Sequence, residues 1–162
     1  MSDSAVTLRE ITPENEAAVR ALRVTPEQER FVSPVSRSLE EAEANPHAHP
    51  WYRAIYAGDE PVGFLMLSYD MPPGDTEQPF RYFLWRLLID ARQQGHGYGR
   101  AAMGLVIEHL RLRPDATEFV TSVHPGPGSP GPFYRGLGFE PTGEWLEGEE
   151  VYRLSLGSDR GA

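Results

Sequence analysis

The residues best suited to chemistry stand where a strand bends through glycines into an amphipathic helix: Leu87-Leu88-Ile89-Asp90-Ala91-Arg92-Gln93-Gln94-Gly95-His96-Gly97-Tyr98-Gly99-Arg100. Side chains do not screen the backbone N–H groups at such a bend, and the N-terminus of the following helix favours negative charge. Arg92 and Arg100 flank the bend and can donate charge-assisted hydrogen bonds. The pattern therefore predicts a site for a ligand that carries phosphate.

Two familiar phosphate-binding motifs do not fit this segment. A P-loop requires Gly-Lys followed by Ser or Thr, and the chain contains no lysine. A dinucleotide fingerprint requires glycine where Arg100 stands, near the start of a long alternating α/β pattern that this chain lacks. A structural alternative stays open at this point, because the glycines could serve only as a tight connection between strand and helix.

The composition narrows the chemistry. The 24 acidic and 15 basic residues give a formal net charge of -9, which disfavours nucleic acid as a partner. Every basic residue is arginine, which excludes lysine nucleophiles, and the absence of cysteine excludes thiol nucleophiles and thiolate metal sites. No targeting pattern opens the chain and no apolar run is long enough to span a bilayer, so we expect a cytoplasmic protein with no membrane partner.

The elements that must position the glycine-rich bend follow from periodicity. The 162 residues predict one domain over 1–162, with an ordered core over about 5–156. Strands are predicted at 6–11, 51–57, 62–69, 81–89, 117–123, 139–145 and 151–156. Cap signals predict short helices beginning at Thr12, Thr25 and Ser38. The first of these, over 12–24, has its expected inward stripe at Ala17, Ala18, Ala21 and Leu22.

The longest helix is predicted over 98–112, between the strands at 81–89 and 117–123. A strand, a helix and a second strand in this order form a βαβ unit whose strands run parallel. A short helix through residue 137 should begin at Ser129-Pro130, where serine can cap it. Turns at 58–60 and 147–149 join two further pairs of strands, and the first pair is predicted to be antiparallel. The expected class is therefore α/β (α+β) with a mixed central sheet of about six or seven strands.

Two motifs in this order resemble those of the GNAT family of N-acetyltransferases. Arg92-Gln93-Gln94-Gly95-His96-Gly97 is similar to its Arg/Gln-x-x-Gly-x-Gly/Ala acyl-CoA motif, and Phe133-Tyr134-Arg135-Gly136-Leu137-Gly138-Phe139 is similar to its Phe/Leu-Tyr-x-x-x-Gly-Phe stretch. The resemblance implies the GNAT fold, with helices on both faces of the sheet and a splayed central parallel pair. It also implies that acetyl-CoA is the co-substrate and that acetyl passes directly to the primary amine of a small substrate.

The same resemblance assigns roles to residues. It implies that Tyr134 protonates the departing thiolate and that a backbone donor near Leu87 or Leu88 polarises the thioester carbonyl, with Leu88 taken as catalytic. The other cofactor-binding residues implied are Leu87, Ile89, Arg92, Gln94, Gly95, His96, Gly97, Tyr98, Gly99 and Arg100. Ser129 stands in the run 126–132, where the family usually has asparagine at the start of this helix, so it is the expected replacement.

The amine side is less defined by sequence. The segments 28–39 and 85–90 resemble the spermidine/spermine acetyltransferase-like branch, and an acidic protein attracts a polycation. The expected substrate-binding residues are Glu27, Glu29, Phe31, Trp85 and His124, and no metal site is expected. Acceptors such as a protein N-terminus, an aminoglycoside or an amino acid stay open, as does a CoA-binding regulatory module without turnover. A homodimer is a further expectation.

Overall fold

The computed structural model describes residues 5–29, 31–72, 74 and 79–157, and these form a seven-stranded sheet in the order β1-β2-β3-β4-β5-β7-β6. The strands are β1 (Val6–Arg9), β2 (Pro50–Ala57), β3 (Glu60–Ser68), β4 (Phe83–Ile89), β5 (Glu118–Val123), β6 (Glu140–Leu146) and β7 (Glu149–Ser155). All neighbouring pairs are antiparallel except β4 and β5, which are parallel. The predicted mixed sheet with a central parallel pair is confirmed.

Helices cover both faces of this sheet. The α-helices are α1 (Glu16–Arg20), α2 (Val35–Ala44), α3 (Tyr98–Arg111) and α4 (Gly131–Gly136). One buried core packs α3 and Tyr134 of α4 against one face, and a second core packs α1 and α2 against the other. On β2 the alternation divides Ile55 and Ala57 from Ala54 and Tyr56, so successive residues serve different cores. None of the helices in the described ranges combines the length and hydropathy that a transmembrane span requires.

The region before β2 differs from the sequence prediction. The helix expected over 12–24 is only Glu16–Arg20, and its buried residue is Val19, whereas Ala17, Ala18 and Ala21 are exposed. The expected start at Ser38 is also wrong, because α2 begins three residues earlier and Ser38 is buried inside it, with Oγ donating to the Pro34 carbonyl. Burial of a larger apolar side chain is more favourable than burial of alanine. The helix α1 is therefore oriented with Val19, and not the alanines, toward the core.

The parallel pair separates almost as soon as it forms. Phe83 pairs with Val120 and Leu84 with Thr121, and β4 and β5 have no further paired residues. On its other edge β4 follows β3 throughout, with a bulge at Trp85, since Met66 opposes Arg86 and Leu67 opposes Leu84. The carboxyl-terminal halves of the two central strands therefore stand apart and leave an opening in the middle of the sheet.

Gly63 holds β4 close to β3, and replacing it with alanine should lower the free energy of unfolding by about 2–3 kcal/mol. A Cβ there would collide with the Leu88 carbonyl oxygen and crowd the side chains of Ile89 and Ile55. Urea unfolding measures the change. The control is Gly104→Ala, which meets open space on an exposed face of α3 and should stabilise the protein by about 0.5–1 kcal/mol. Equal stability of G63A and wild type would contradict the close approach.

Candidate active site

The bend between β4 and α3 presents bare backbone toward solvent. Gly95 and Gly97 have φ of 87° and 79°, a left-handed conformation that glycine adopts without strain. Gly97 is the N-cap of α3 and no side chain caps the helix there. A Cβ at either glycine would meet nothing within 4 Å. The first N–H groups of a 14-residue helix thus lack intrahelical acceptors and face open space, which is the arrangement that an anion requires.

Asp90 anchors the start of this bend. Its Oδ1 accepts from the Arg23 N–H at 2.8 Å, and its Oδ2 accepts from the Arg92 N–H at 3.2 Å and from Arg92 Nε at 3.0 Å. Burial alone would raise the pKa of Asp90, but these hydrogen bonds and the Arg92 charge outweigh burial and lower it. Asp90 therefore caps the start of the bend.

Replacing Asp90 with asparagine should lower the free energy of unfolding at pH 7 by about 1–3 kcal/mol, because a buried carboxylate loses its charge-assisted bonds. Since folding lowers this pKa, the contribution of Asp90 is present above the unfolded value of about 3.9 and is lost as pH falls through the lower folded value. Urea unfolding at neutral pH and below about pH 3 measures both regimes. A difference between wild type and D90N that stays constant over this range would contradict the assignment.

A pair of amides ties the bend to the segment before α2. Gln94 Nε2 donates to Gln28 Oε1 at 2.8 Å and to the Ile89 carbonyl at 2.9 Å. Gln28 also closes the predicted capping box with Thr25 on the 3₁₀ helix Pro26–Gln28. Three residues later, the ring of Phe31 packs edge-on against His124 beyond β5, with centroids 5.6 Å apart. The segment from Thr25 to Phe31 therefore contacts both sides of the opening between the splayed strands.

The opening is a cleft of about 1200 Å³ lined by the bend, both central strands and α4. On its β4 wall the direction of each peptide group follows from one hydrogen bond, the Asp90 N–H to the Val62 carbonyl on the β3 side. Strand alternation turns the Leu88 groups to β3 as well and turns those of Leu87 and Ile89 toward the cleft. The prediction of a backbone donor at Leu88 is corrected on this ground, and Leu87 is the residue whose N–H faces the opening.

Tyr134 stands on the α4 wall of the cleft. Its side chain is buried between the rings of Phe133 and Phe139, at centroid distances of 5.2 and 5.6 Å. Burial raises the pKa of Tyr134 well above its usual value, the Glu149 charge adds to this increase, and a hydrogen bond with Thr121 opposes it. Tyr134 is therefore a protonated phenol at physiological pH. Before α4, Ser129 Oγ accepts from the Gly131 N–H at 3.2 Å. The expected cap at Ser129 is wrong, however, because α4 begins at Gly131, its N-cap is Pro130 and no side chain caps it.

Carboxylates also belong to the lining of the cleft. They are Glu29, Glu41, Glu147 and Glu149, and the arginines among the described lining residues are Arg86 and Arg100. Arg86 Nη2 pairs with Glu41 and Nη1 donates to the Trp85 carbonyl, while burial lowers the pKa of its guanidinium. Glu149 Oε1 accepts from Ser122 Oγ at 2.6 Å. Among the described lining residues the four carboxylates outnumber the two arginines, so the part of the cleft that they line attracts cations.

Most of the residues singled out by sequence meet along this cleft. Its lining includes Glu29, Phe31, Trp85, Leu87, Leu88, Ile89, Gln94, Gly95, Gly97, Tyr98, Gly99, Arg100, His124, Ser129 and Tyr134. Arg92, His96 and Glu27 are not part of it: Arg92 pairs with Asp90, His96 packs on the ring of Tyr98, and Glu27 is exposed. Sequence reasoning gave no role to Glu41, Arg86 or Ser122. Across the described ranges, no three His, Asp or Glu side chains are grouped closely enough to hold a metal ion.

Residues 15–139 match the profile of the Acetyltransferase (GNAT) family, and the chain belongs to this family. It is 29% identical over 106 residues to the spermine/spermidine N(1)-acetyltransferase of Bacillus subtilis, a match that covers 65% of this chain and 68% of that protein. The fold resembles an acetyltransferase from Thermus thermophilus, with a TM-score of 0.69 and 22% identity over 96% of this chain and 100% of the other.

The fold also resembles the aminoglycoside acetyltransferase AAC(6')-Ib solved in complex with coenzyme A, with a TM-score of 0.71 and 22% identity over 92% of this chain and 93% of that one. These matches confirm the predicted fold class and the resemblance stated from the two motifs. The protein is accordingly an acyltransferase.

Proposed function

We propose that this protein transfers an acetyl group from acetyl-CoA to a primary amine of a small polycation, a polyamine. One observation carries the proposal: a single cleft has bare helix N–H groups at its glycine bend, a buried phenol on its wall and four carboxylates in its lining. An anionic carrier would bind at the bend, and a cationic acceptor would bind at the carboxylates of the same opening.

The bend is suited to the diphosphate of CoA. The N–H groups from Gln94 to Arg100 would cradle the phosphate oxygens, and the Arg100 side chain lies along the same lining. The peptide groups of Leu87 and Ile89 face the opening, where they can pair with the amides of an extended pantetheine arm. Ser129 lines the α4 side of the same cleft. Because Arg92 and His96 lie outside the lining, we leave them out of the proposed cofactor set.

The chemistry proposed for the centre of the cleft is direct attack by the amine. The Leu87 N–H is directed to stabilise negative charge on the thioester oxygen as the amine adds. Tyr134, a protonated phenol, supplies the proton that the departing CoA thiolate needs. No cysteine is present, so the acetyl group has no thiol on the enzyme through which to pass.

The acceptor assignment rests on charge and likeness together. An alkylamine is protonated at neutral pH, and a polyamine carries several positive charges that match Glu29, Glu147 and Glu149 of the cleft lining. The Bacillus subtilis relative is named for spermine and spermidine. Phe31, Trp85 and His124 line the same cleft and can pack on the methylene segments of such a chain. One domain over residues 1–162 and a homodimer stay predictions.

The proposal is tested by the release of free CoA thiol from acetyl-CoA in the presence of an amine panel. The panel contains spermidine, spermine, an aminoglycoside, a free amino acid and a peptide with a free N-terminal alanine. Turnover with the two polyamines at the highest kcat/KM supports the proposal. Preference for the aminoglycoside or the peptide would replace the acceptor, and acetyl-CoA binding without any thiol release would indicate a regulatory module.

A further inference from the structure

We propose that Glu149 is the general base that removes the proton from the acceptor ammonium, held in place by Ser122. This inference rests on the proposed function and names the group that makes the amine nucleophilic. Glu149 is the first residue of β7, half-buried, and its carboxylate lines the cleft. Ser122 Oγ donates to Oε1 at 2.6 Å, and within the described residues Oε2 has no hydrogen-bond partner. One oxygen is therefore fixed and the other is available to a ligand.

The other carboxylates of the cleft lining are less suited to act as the general base. Glu41 is paired with Arg86 and also with Arg37 at 3.3 Å, so its oxygens are engaged. Glu29 and Glu147 are exposed to solvent. Glu149 has no ion-pair partner within 4.0 Å among the described residues, although its charge is felt by both Arg86 and Tyr134. It thus combines partial burial with a carboxylate that is fixed at one oxygen.

The sheet places the proposed acid and base on opposite sides of the opening. Thr121 is the last β5 residue that pairs with β4, and its hydroxyl contacts the Leu84 carbonyl and the Tyr134 phenol. The next residue, Ser122, points to the opposite face because side chains alternate along a strand, and it holds Glu149 there. An amine entering from the Glu149 face would meet a thioester whose sulfur lies toward Tyr134. Acid and base are thereby kept from exchanging the proton directly.

The proton and electron balance follows this arrangement. The ammonium gives one proton to Glu149, and the freed lone pair of nitrogen forms the N–C bond with the acetyl carbonyl carbon of the thioester. The C–S bond then breaks with its electron pair on sulfur, which takes the Tyr134 proton and leaves as CoA thiol. The new amide nitrogen loses its second proton to the Tyr134 phenolate, and Glu149 releases its proton to water. The net products are the acetylated amine, CoA thiol and one proton.

The test compares Glu149→Gln with Glu150→Gln, using acetyl-CoA and spermidine. Glutamine keeps the size of Glu149 and can still accept from Ser122, whereas it cannot take a proton. We expect kcat of E149Q to fall about 100-fold, with the KM for acetyl-CoA unchanged. The control removes the same charge from the neighbouring residue, which is not part of the cleft lining, and should retain wild-type rates. Ser122→Ala, which frees the carboxylate, should give a smaller loss than E149Q.

The pH profile separates a base from a merely structural carboxylate. Without the base, the rate of E149Q should rise about tenfold per pH unit between about pH 7 and 9, because the free amine fraction rises tenfold per unit below an amine pKa near 10. Arg86 from β4 and Tyr134 from α4 experience the charge of Glu149, Ser122 from β5 donates to it, and Glu147 and Glu150 stand beside it along the chain. Burial raises the Tyr134 pKa and Arg86 is an arginine, so neither group titrates in this range.

Three outcomes decide the matter. A pH-dependent loss in E149Q with normal rates in E150Q supports the inference. The inference is overturned, and the proposed function left intact, if the wild type turns over spermidine and the kcat of E149Q is unchanged. A loss of kcat in E149Q that does not vary with pH has the same meaning. Absence of wild-type turnover with every amine of the panel overturns both. Thermal unfolding of each variant shows whether a loss of activity arises from unfolding. If E149Q is unfolded, S122A decides instead, because it keeps the charge of Glu149: a reduced kcat relative to wild type supports the inference, and an unchanged kcat overturns it.

Discussion

Tyr134→Phe should lower kcat about 1000-fold with polyamine while leaving the Kd for acetyl-CoA unchanged. The expectation follows from where the hydroxyl is placed. Tyr134 is buried on the wall of the cleft, between two phenylalanine rings, and its pKa is raised. A phenol in this position keeps its proton through the pH range of the reaction and is available to donate it to the departing CoA thiolate.

The substitution removes one oxygen and little else. Phenylalanine fits between Phe133 and Phe139 as tyrosine does, so the ring packing persists. Thr121 loses its contact with the phenol and keeps its bond to the Leu84 carbonyl at 3.1 Å, so no buried hydroxyl is left without a partner. The effect should therefore appear in the chemical step and not in folding or cofactor binding.

Single-turnover kinetics and acetyl-CoA titration measure the two quantities separately. The matched control is Tyr152→Phe, since Tyr152 is another buried tyrosine of the same core whose hydroxyl lies beside Gly131 of α4 and which is not part of the cleft lining. Y152F should retain the wild-type kcat. If Y134F also retained it, Tyr134 would be a packing residue only and another proton source would have to be sought.

Local sequence signals were sufficient for the parts of this site that are local in the chain. The left-handed glycines Gly95 and Gly97, the start of α3 and the capping box at Thr25 each depend on a few neighbouring residues, and the structure has all of them. The Asp90 cap is similar, because two of its hydrogen bonds come from Arg92, two residues away. Such contacts form wherever these residues follow one another, so they can be predicted from the sequence.

The contacts that shape the cleft join distant parts of the chain. Gln28 meets Gln94 over 66 residues, Arg86 meets Glu41 over 45 and Ser122 meets Glu149 over 27. Each depends on which strands are neighbours in the sheet, and composition carries no such information. The resemblance to the family's first motif also gave Arg92 a role at phosphate, whereas the buried carboxylate of Asp90 holds its guanidinium. The ion pair with Asp90, two residues away, thus engages the side chain that the motif assigned to phosphate.

Replacing Gly97 with valine should weaken acetyl-CoA binding about 100- to 1000-fold while leaving the fold intact. Gly97 has a left-handed backbone conformation, which costs an L-residue about 1–2 kcal/mol of conformational energy. The strain is greater for a β-branched residue such as valine. The new side chain would also stand in the open space where the phosphates are expected, at the loss of charge-assisted hydrogen bonds worth about 1.5–3 kcal/mol each. Strain and lost bonds together give the stated range.

Gly104→Ala is the matched control for G97V, because it adds a side chain to the same helix at an exposed position with open space around it and a helical backbone. It should leave the Kd for acetyl-CoA unchanged. Isothermal titration with acetyl-CoA gives the affinity for the whole carrier. A second titration uses the acetyl thioester of pantetheine, which has the same arm and no diphosphate. G97V should weaken the binding of acetyl-CoA far more than that of the pantetheine thioester. Blocked helix N–H groups weaken only the ligand that carries the diphosphate, whereas a distortion of the whole cleft weakens both ligands. Equal weakening of the two ligands would therefore contradict a diphosphate site at the glycine bend.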